Sequence, residues 1–318
     1  MSKKKQKLKT IDLFAGVGGI RLAFEKAGFE TVYANDFEPK CADTYNLIFK
    51  EGPRLHVEDI RKVNVKTIDS FDVLLGGFPC QAFSIAGYRQ GFDDEKGRGN
   101  LFFDVAKILK KRKPEVILLE NVKNLKGHDG GNTFKVIKDT LQSLGYHTKE
   151  EVLNAMEYGN IPQNRERIYI VGFRDKTKYE KFEFPKKLKL TKKVTDFLEK
   201  EVDGKYYYND KPLYRFLKKE VTNPNKVYQW RRRYVRENKS GVCPTLTANM
   251  GSGGHNVPII VDDYGIRKLT PKECFRLQGF PMNTKLPNIA DSHLYHQAGN
   301  SVVVPVLYRI AKQIQKVV

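Results

Sequence analysis

A doubly wound, mainly parallel α/β sheet is the fold class that this 318-residue sequence predicts. From residue 7 to about 174, short apolar runs alternate with amphipathic segments, and the runs are continuously apolar, as strands covered on both faces are. In chain order the pairs are LKTIDLF then IRLAFEKAG, ETVYAN then KCADTYNLIF, FDVLLGG then NLFFDVAKILKK, and EVILLEN then FKVIKDTLQSLG. HTKEEVLNA and ERIYIVGF supply the last two strands. Residues 175 to about 220 turn rich in Lys and Tyr, and the stretch to about 290 is punctuated by Gly and Pro, which predicts a smaller domain of short strands and loops. In NSVVVPVLYRIAKQI, an apolar helical face at Val303, Val306, Leu307 and Ile310 predicts a final helix returning to the first domain. The expected parts are residues 1–185, 186–290 and 291–318.

Lys and Arg number 57 against 37 Asp and Glu, a formal net charge of +20 that favours a polyanionic partner. Cys41, Cys80, Cys243 and Cys274 form no C-x-x-C pair and have no His at zinc spacing, so neither a disulfide framework nor a metal is expected. Asp12 and Arg21 interrupt the apolar part of the N-terminal stretch, which argues against a signal peptide. No run approaches the roughly 18 apolar residues of a membrane span, and a cytoplasmic location is expected.

DLFAGVGGI follows the first run and opens the first helix, the setting of a glycine-rich nucleotide loop. Gly16, Gly18 and Gly19 leave backbone bare to a ligand, but Arg21 stands where a dinucleotide fingerprint needs its third glycine, which disfavours a nicotinamide-linked dehydrogenase. Asp36, about 20 residues on, suits ribose hydroxyls, or equally a helix start. Phe37 could stack on an adenine or fill core, and Asp59 could accept from an adenine amino group. These residues describe an adenine and ribose pocket without a pyrophosphate pattern.

In GGFPCQAF, Gly76, Gly77 and Pro79 end a strand and place Cys80 in a loop at its carboxyl end, where open α/β sheets keep their ligands. Glu120 and Asn121 end the adjacent run in PEVILLENV. A carboxyl there is a candidate acid toward a ring nitrogen, the partner a thiol needs when it adds to an electron-poor ring carbon. Arg165 and Arg167, alternating at the start of ERIYIVGF, should share one face of the sheet.

DLFAGVGG, GGFPCQAFSIAG, NLFFDVAKIL, LENVKNL, PQNRERIYIVGF, KLTPKECFRLQGFP and QAGNSVVVPV resemble, in order and spacing, the blocks of the bacterial cytosine-5 DNA methyltransferases. The resemblance spans the chain apart from residues about 185 to 240, and it departs at Asp36, where the family more often has Glu. It implies the Rossmann-like fold of S-adenosylmethionine-dependent methyltransferases, S-adenosyl-L-methionine as methyl donor, and C5 of a cytosine flipped out of double-stranded DNA as acceptor. Cys80 would add to C6, Glu120 would hydrogen-bond N3, and Arg165 and Arg167 would hold the base carbonyl and order both. Phe14, Pro79, Leu101, Asn300 and Ser301 match cofactor-pocket positions, with Ile60 beside Asp59. Ser84, Thr245 and Thr247 match DNA contacts, and YQWRRRYVREN offers Gln229 and Arg233 as base readers. The resemblance implies a catalytic and cofactor-binding part, a target-recognition part and a returning segment, in a monomer without metal. A separately acting cognate restriction endonuclease is left open, and a cytosine-5 tRNA methyltransferase is the alternative reading.

Overall fold

The computed structural model describes residues 7–79, 101–238, 240–252 and 256–318. The chain divides into two compact units. Met1–Leu153, Glu166–Pro185 and Leu307–Val318 form the first, and Asn154–Arg165 with Lys186–Val306 form the second.

In the first unit the apolar runs become β1 (Lys9–Leu13), β2 (Glu30–Asp36), β3 (His56–Val57), β4 (Val73–Gly76), β5 (Val116–Val122) and β6 (His147–Asn154). After the two-residue β7 (Gln163–Asn164), β8 (Glu166–Phe173) completes a seven-stranded sheet of order β3-β2-β1-β4-β5-β8-β6. Strands β1 to β5 pair in parallel, while β8 runs antiparallel to β5. The parallel crossovers carry α1 (Gly19–Ala27), α2 (Pro39–Ile48) and α3 (Leu101–Arg112), and α4 (Asn132–Ser143) joins β5 to β6. Ile11, Leu13, Leu74, Ile117 and Leu119 from the strands pack with Val105, Ile108 and Leu109 of α3 and Ile137 and Leu141 of α4, which is why these strands read as unbroken apolar runs. The predicted doubly wound sheet is the one observed.

Arg21 explains the missing third glycine. Its side chain is buried, lies 4.1 Å from the Phe49 ring centre, and donates to Glu25, Tyr45 Oη and the carbonyls of Glu51 and Pro53. Tyr45 and Phe49 in turn crowd Gly18, where a Cβ would stand 2.2 Å from the Phe49 ring. The helix start is therefore braced by an arginine against its own next crossover, and has no pyrophosphate to accommodate.

The second unit holds β9 (Tyr228–Trp230) and β10 (Val235–Glu237), β11 (Cys243–Pro244), and β12 (Ile259–Asp262) with β13 (Gly265–Lys268). A four-stranded sheet runs β10-β9-β12-β13, and β11 pairs with β7. Short α5 (Ala155–Tyr158), α6 (Lys176–Lys181, in the first unit) and α7 (Tyr214–Leu217) precede α8 (Pro271–Leu277), α9 (Asp291–Asn300) and α10 (Val304–Val317). The buried residues of α10 include Val306, Leu307, Ile310 and Ile314, the face its periodicity predicts.

An ionic knot fixes the β13–α8 corner. The buried Arg267 guanidinium makes two bonds to Glu273, at 2.8 and 2.9 Å, and one to Asp262 at 2.5 Å, while Glu273 closes a capping box with Thr270. Removing Arg267 leaves Glu273 charged and buried, so Arg267→Met should cost about 3–5 kcal/mol, and Arg267→Met with Glu273→Gln should recover most of it, both read from urea unfolding. Equal losses in the single and double variants would refute the account.

Asp12 makes a second prediction. It is fully buried at the end of β1, its Oδ2 accepts the Arg21 backbone N–H at 3.1 Å, and its Oδ1 has no hydrogen-bond partner among the described residues. Burial pushes its pKa from 3.8 up to about 7. Between those values the folded chain keeps a proton that the unfolded chain has released, so this group lowers stability as pH rises toward 7. Asp12→Asn should therefore gain on wild type in urea midpoint as pH rises from about 4 to about 7. A difference that stays constant with pH would contradict the assignment.

Candidate active site

At the carboxyl end of β1 the chain turns sharply: Phe14, Gly16 and Gly18 all have positive φ, at 55°, 53° and 82°. Only at Gly16 and Gly18 is that conformation free of side-chain strain, and a Cβ on Gly16 would meet nothing within 4 Å, so one side of this loop is open. Asp36, at the end of β2, ties the loop down: its Oδ2 accepts from Gly16 N at 2.8 Å and its Oδ1 from Glu38 N at 2.9 Å. Burial raises its pKa, opposed by those hydrogen bonds. Each oxygen keeps lone-pair capacity for a further donor. Beside it Phe37 is 68% exposed, a large bare ring with no structural reason to face solvent. Asp59 is paired to Arg61, whose hydrogen bonds hold its pKa down at about 2, and Ile60 is buried next to it. Leu101 begins α3 half-buried, Gly19 begins α1, and Pro79 is exposed just past β4.

Glu120 and Asn121 occupy the far end of β5. Because β8 is antiparallel to β5, its beginning lies against that end, with Val122 opposite Arg167 and Glu120 opposite Tyr169. Arg167 Nε reaches Glu120 Oε1 at 3.1 Å, with the two side chains 15% and 10% exposed. A Cβ placed on Gly77 would stand 3.5 Å from Glu120 Oε2, so the carboxyl lies beside the turn that leads to Pro79. The buried Asn121 side chain donates to the Phe78 carbonyl at 2.9 Å and pins the same turn. Sequence reasoning singled out Glu120; the anchoring by Asn121 left no signal in composition or spacing. Cys80 and Ser84 lie outside the described residues.

Arg165 is placed differently from the expectation. It precedes β8 instead of alternating with Arg167 along it, is 2% exposed, and donates to the carbonyls of Leu246 at 2.6 Å, Gly299 at 3.1 Å and Ser301 at 2.6 Å, all in the second unit. Its three bonds thus run to backbone 81 to 136 residues away. Thr245 is half-buried and donates to the Asn164 carbonyl, while Thr247 is exposed and bonds Asn249 Oδ1. Gly299 lies flat on this segment, since a Cβ there would sit 2.2 Å from the Thr247 carbonyl. Asn300 is exposed and bonds His296; the Ser301 hydroxyl is buried with no hydrogen-bond partner among the described residues. Gln229 in β9 is half-buried, and Arg233 is exposed at the tip of the β9–β10 hairpin. His293 is exposed on α9, and no group of three or more His, Cys, Asp or Glu among the described residues is placed to hold a metal. No helix among those residues is long and apolar enough to cross a membrane.

A buried arginine–glutamate pair next to a glycine-proline turn, with an open glycine loop two strands away in the same sheet, is a setting for ring chemistry beside a nucleoside-like ligand. Residues 8–316 match the profile of the C-5 cytosine-specific DNA methylases. Type II methyltransferase M.Bsp6I of Bacillus sp. (strain RFL6) is 56% identical over 314 residues, covering 97% of this chain and 99% of that protein. Type II methyltransferase M.HhaI of Haemophilus parahaemolyticus is 41% identical over 322 residues, covering 96% and 94%. Among solved structures, a Spodoptera frugiperda DNMT2 mutant superposes with a TM-score of 0.74 at 22% identity over 97% of this chain and all of that one, a likeness of fold. The chain belongs to the C-5 cytosine-specific DNA methylase family.

Proposed function

We propose that this DNA cytosine-5 methyltransferase draws its methyl group from S-adenosyl-L-methionine and works through a covalent bond between Cys80 and C6 of a flipped-out cytosine. The observation that carries the reading is the Glu120–Arg167 pair, at 3.1 Å, set against the turn that precedes Cys80. The donor's chemistry fits the first unit: it has an adenine and a ribose but no phosphate, and the loop offers an exposed Phe37, a carboxylate at Asp36 and open backbone at Gly16. Phe14, Gly18, Gly19, Asp59, Ile60, Pro79 and Leu101 complete that proposed contact set in the first unit, and Asn300 and Ser301 are proposed for the cofactor on the resemblance alone. When bound, the donor supplies an electrophilic sulfonium methyl.

The steps fall to this chain's residues. The Cys80 thiolate adds to C6, and Glu120 hydrogen-bonds N3 as charge moves into the ring, while Arg167 holds the carboxyl and the base carbonyl. C5 would then take the methyl carbon as its bond to sulfur breaks and the donor leaves as a neutral thioether; loss of the C5 proton to a water-linked base and expulsion of Cys80 as thiolate would restore the ring. Arg165 acts through backbone, by ordering the segments around Leu246 and Ser301. Attack from above the ring plane requires the base to leave the stack, at a cost of a few kcal/mol offset by contacts to the duplex. Ser84, Thr245 and Thr247 are proposed for the DNA backbone, Gln229 and Arg233 for base edges. Residues 1–185 would then be catalytic, 186–290 target-reading and 291–318 a returning segment, in a cytoplasmic monomer that needs no endonuclease to act.

Three experiments test this. A duplex plasmid fragment carrying 5-fluorocytosine, incubated with donor, should trap wild type covalently and leave Cys80→Ala free; equal trapping by both would refute the nucleophile. Glu120→Ala should lower single-turnover methylation by roughly 10²–10⁴-fold with duplex affinity nearly unchanged, and an unaltered rate would remove Glu120 from the chemistry. Labelled donor offered with duplex DNA and with tRNA separates the alternative substrate, since label in tRNA alone would overturn the proposal.

A further inference from the structure

Two glutamines, Gln163 in the block PQNRERIYIVGF and Gln278 in KLTPKECFRLQGFP, were given no role from the sequence and are buried in the second unit. Gln163 and Gln278 are both fully buried, and they bond each other, Gln163 Nε2 to Gln278 Oε1 at 3.3 Å. Their remaining bonds go in different directions. Gln163 Oε1 accepts the Leu246 backbone N–H at 3.1 Å, and its Nε2 donates to the Leu277 carbonyl at 2.8 Å. Gln278 Nε2 donates to the Ala298 carbonyl at 2.6 Å, and the Gln278 carbonyl accepts the Val304 N–H at 2.9 Å. The Gln278 side chain therefore holds the near end of the turn that carries Asn300 and Ser301, and its backbone carbonyl holds the far end. Gln163 fixes the N–H of the residue between Thr245 and Thr247, whose carbonyl Arg165 already holds.

We propose that Gln278 and Gln163 are positioning residues of this enzyme, Gln278 for the turn bearing Asn300 and Ser301 and Gln163 for the segment bearing Thr245 and Thr247. The assignment rests on the reading above, in which the first segment meets the cofactor and the second meets DNA. Neither segment at its gripped residue belongs to a sheet ladder, so its buried backbone groups need partners from side chains. A methionine fills nearly the same volume as a glutamine but offers no donor or strong acceptor, so packing is largely kept while one anchor is lost. The Arg165 bonds and the Gly299 contact on Thr247 remain in both variants, which confines each loss to one segment.

Equilibrium binding separates positioning from mere stability. Gln278→Met should weaken calorimetric binding of S-adenosyl-L-methionine about tenfold and binding of a linear plasmid duplex by less than about threefold. Gln163→Met should do the reverse. Gln278→Asn and Gln163→Asn, which keep the amide but withdraw it by one methylene, should show the same split at smaller amplitude, and they stand in if a Met variant does not fold. Loss of both ligands by a common factor in each variant, or loss of neither, overturns the assignment. Failure of the wild-type chain to bind S-adenosyl-L-methionine would overturn the underlying reading instead, and with it the roles given to the two segments.

Discussion

The pairing of Glu120 with Arg167 is the contact that the rest of the first unit is arranged to permit. A carboxyl at the end of a buried strand is costly unless a cation and hydrogen bonds meet it there. A sheet with every strand parallel would place the carboxyl end of the neighbouring strand beside that of β5, so a cation from the start of a strand could not arrive. Reversing β8 brings its first residues to the last residues of β5, with Arg167 opposite Val122. Gly77 flanks the carboxyl on the other side, and Asn121 fixes the adjoining Phe78 carbonyl. One antiparallel strand in an otherwise parallel run of neighbours thus turns a buried acid from a liability into a held group.

The same economy shows in the glycine loop after β1. A dinucleotide site would keep a glycine where Arg21 stands; here a buried guanidinium joins α1 to Tyr45, Phe49 and the Glu51 and Pro53 carbonyls. Asp36 spends both oxygens on loop backbone, at Gly16 and Glu38, and still has lone pairs left for an outside donor. A carboxylate that shapes the loop from within explains why a short Asp serves at this position: its reach is set by the Gly16 N–H.

What was legible in the sequence follows from the range of the interactions. The strands β1, β4 and β5 announce themselves because burial on both faces leaves no polar alternation, and Glu120 stands out because it breaks such a run. The face of α10 was readable from its 3.6-residue period. Arg165 was legible as unusual but not in its role, because its partners lie 81 to 136 residues along the chain. Gln163 and Gln278 sit in two of the resembling blocks, but their role was not legible, since a glutamine satisfying distant backbone has the same local pattern as one on a surface. Arg165 and Arg167 differ by two residues yet serve different units, since the unit boundary falls between Arg165 and Glu166, a division no periodicity marks.

The hairpin tip of the second unit shows costs that its own contacts do not offset. Arg231, Arg232, Arg233 and Tyr234 are all exposed, and Arg232 holds φ at 60°, a left-handed conformation that costs a non-glycine residue of order 1–3 kcal/mol. The turn is closed by backbone alone, Arg231 N–H to the Tyr234 carbonyl at 2.8 Å and Arg233 N–H to the Arg231 carbonyl at 2.7 Å. Among the described residues no side-chain hydrogen bond or ion pair holds the three guanidiniums, so their mutual repulsion is unrelieved within the unit. Glycine at 232 would remove the strain, and serine at either neighbour would ease the crowding of charge. A chain with a net charge of +20 has no shortage of surface cations elsewhere, so retaining three here, one of them in a strained conformation, favours a specific polyanion contact at this tip over general solubility. Phe14 offers the contrast: it is strained in the same way, at φ 55°, but its ring packs on the first unit's core, so its strain is compensated inside the fold.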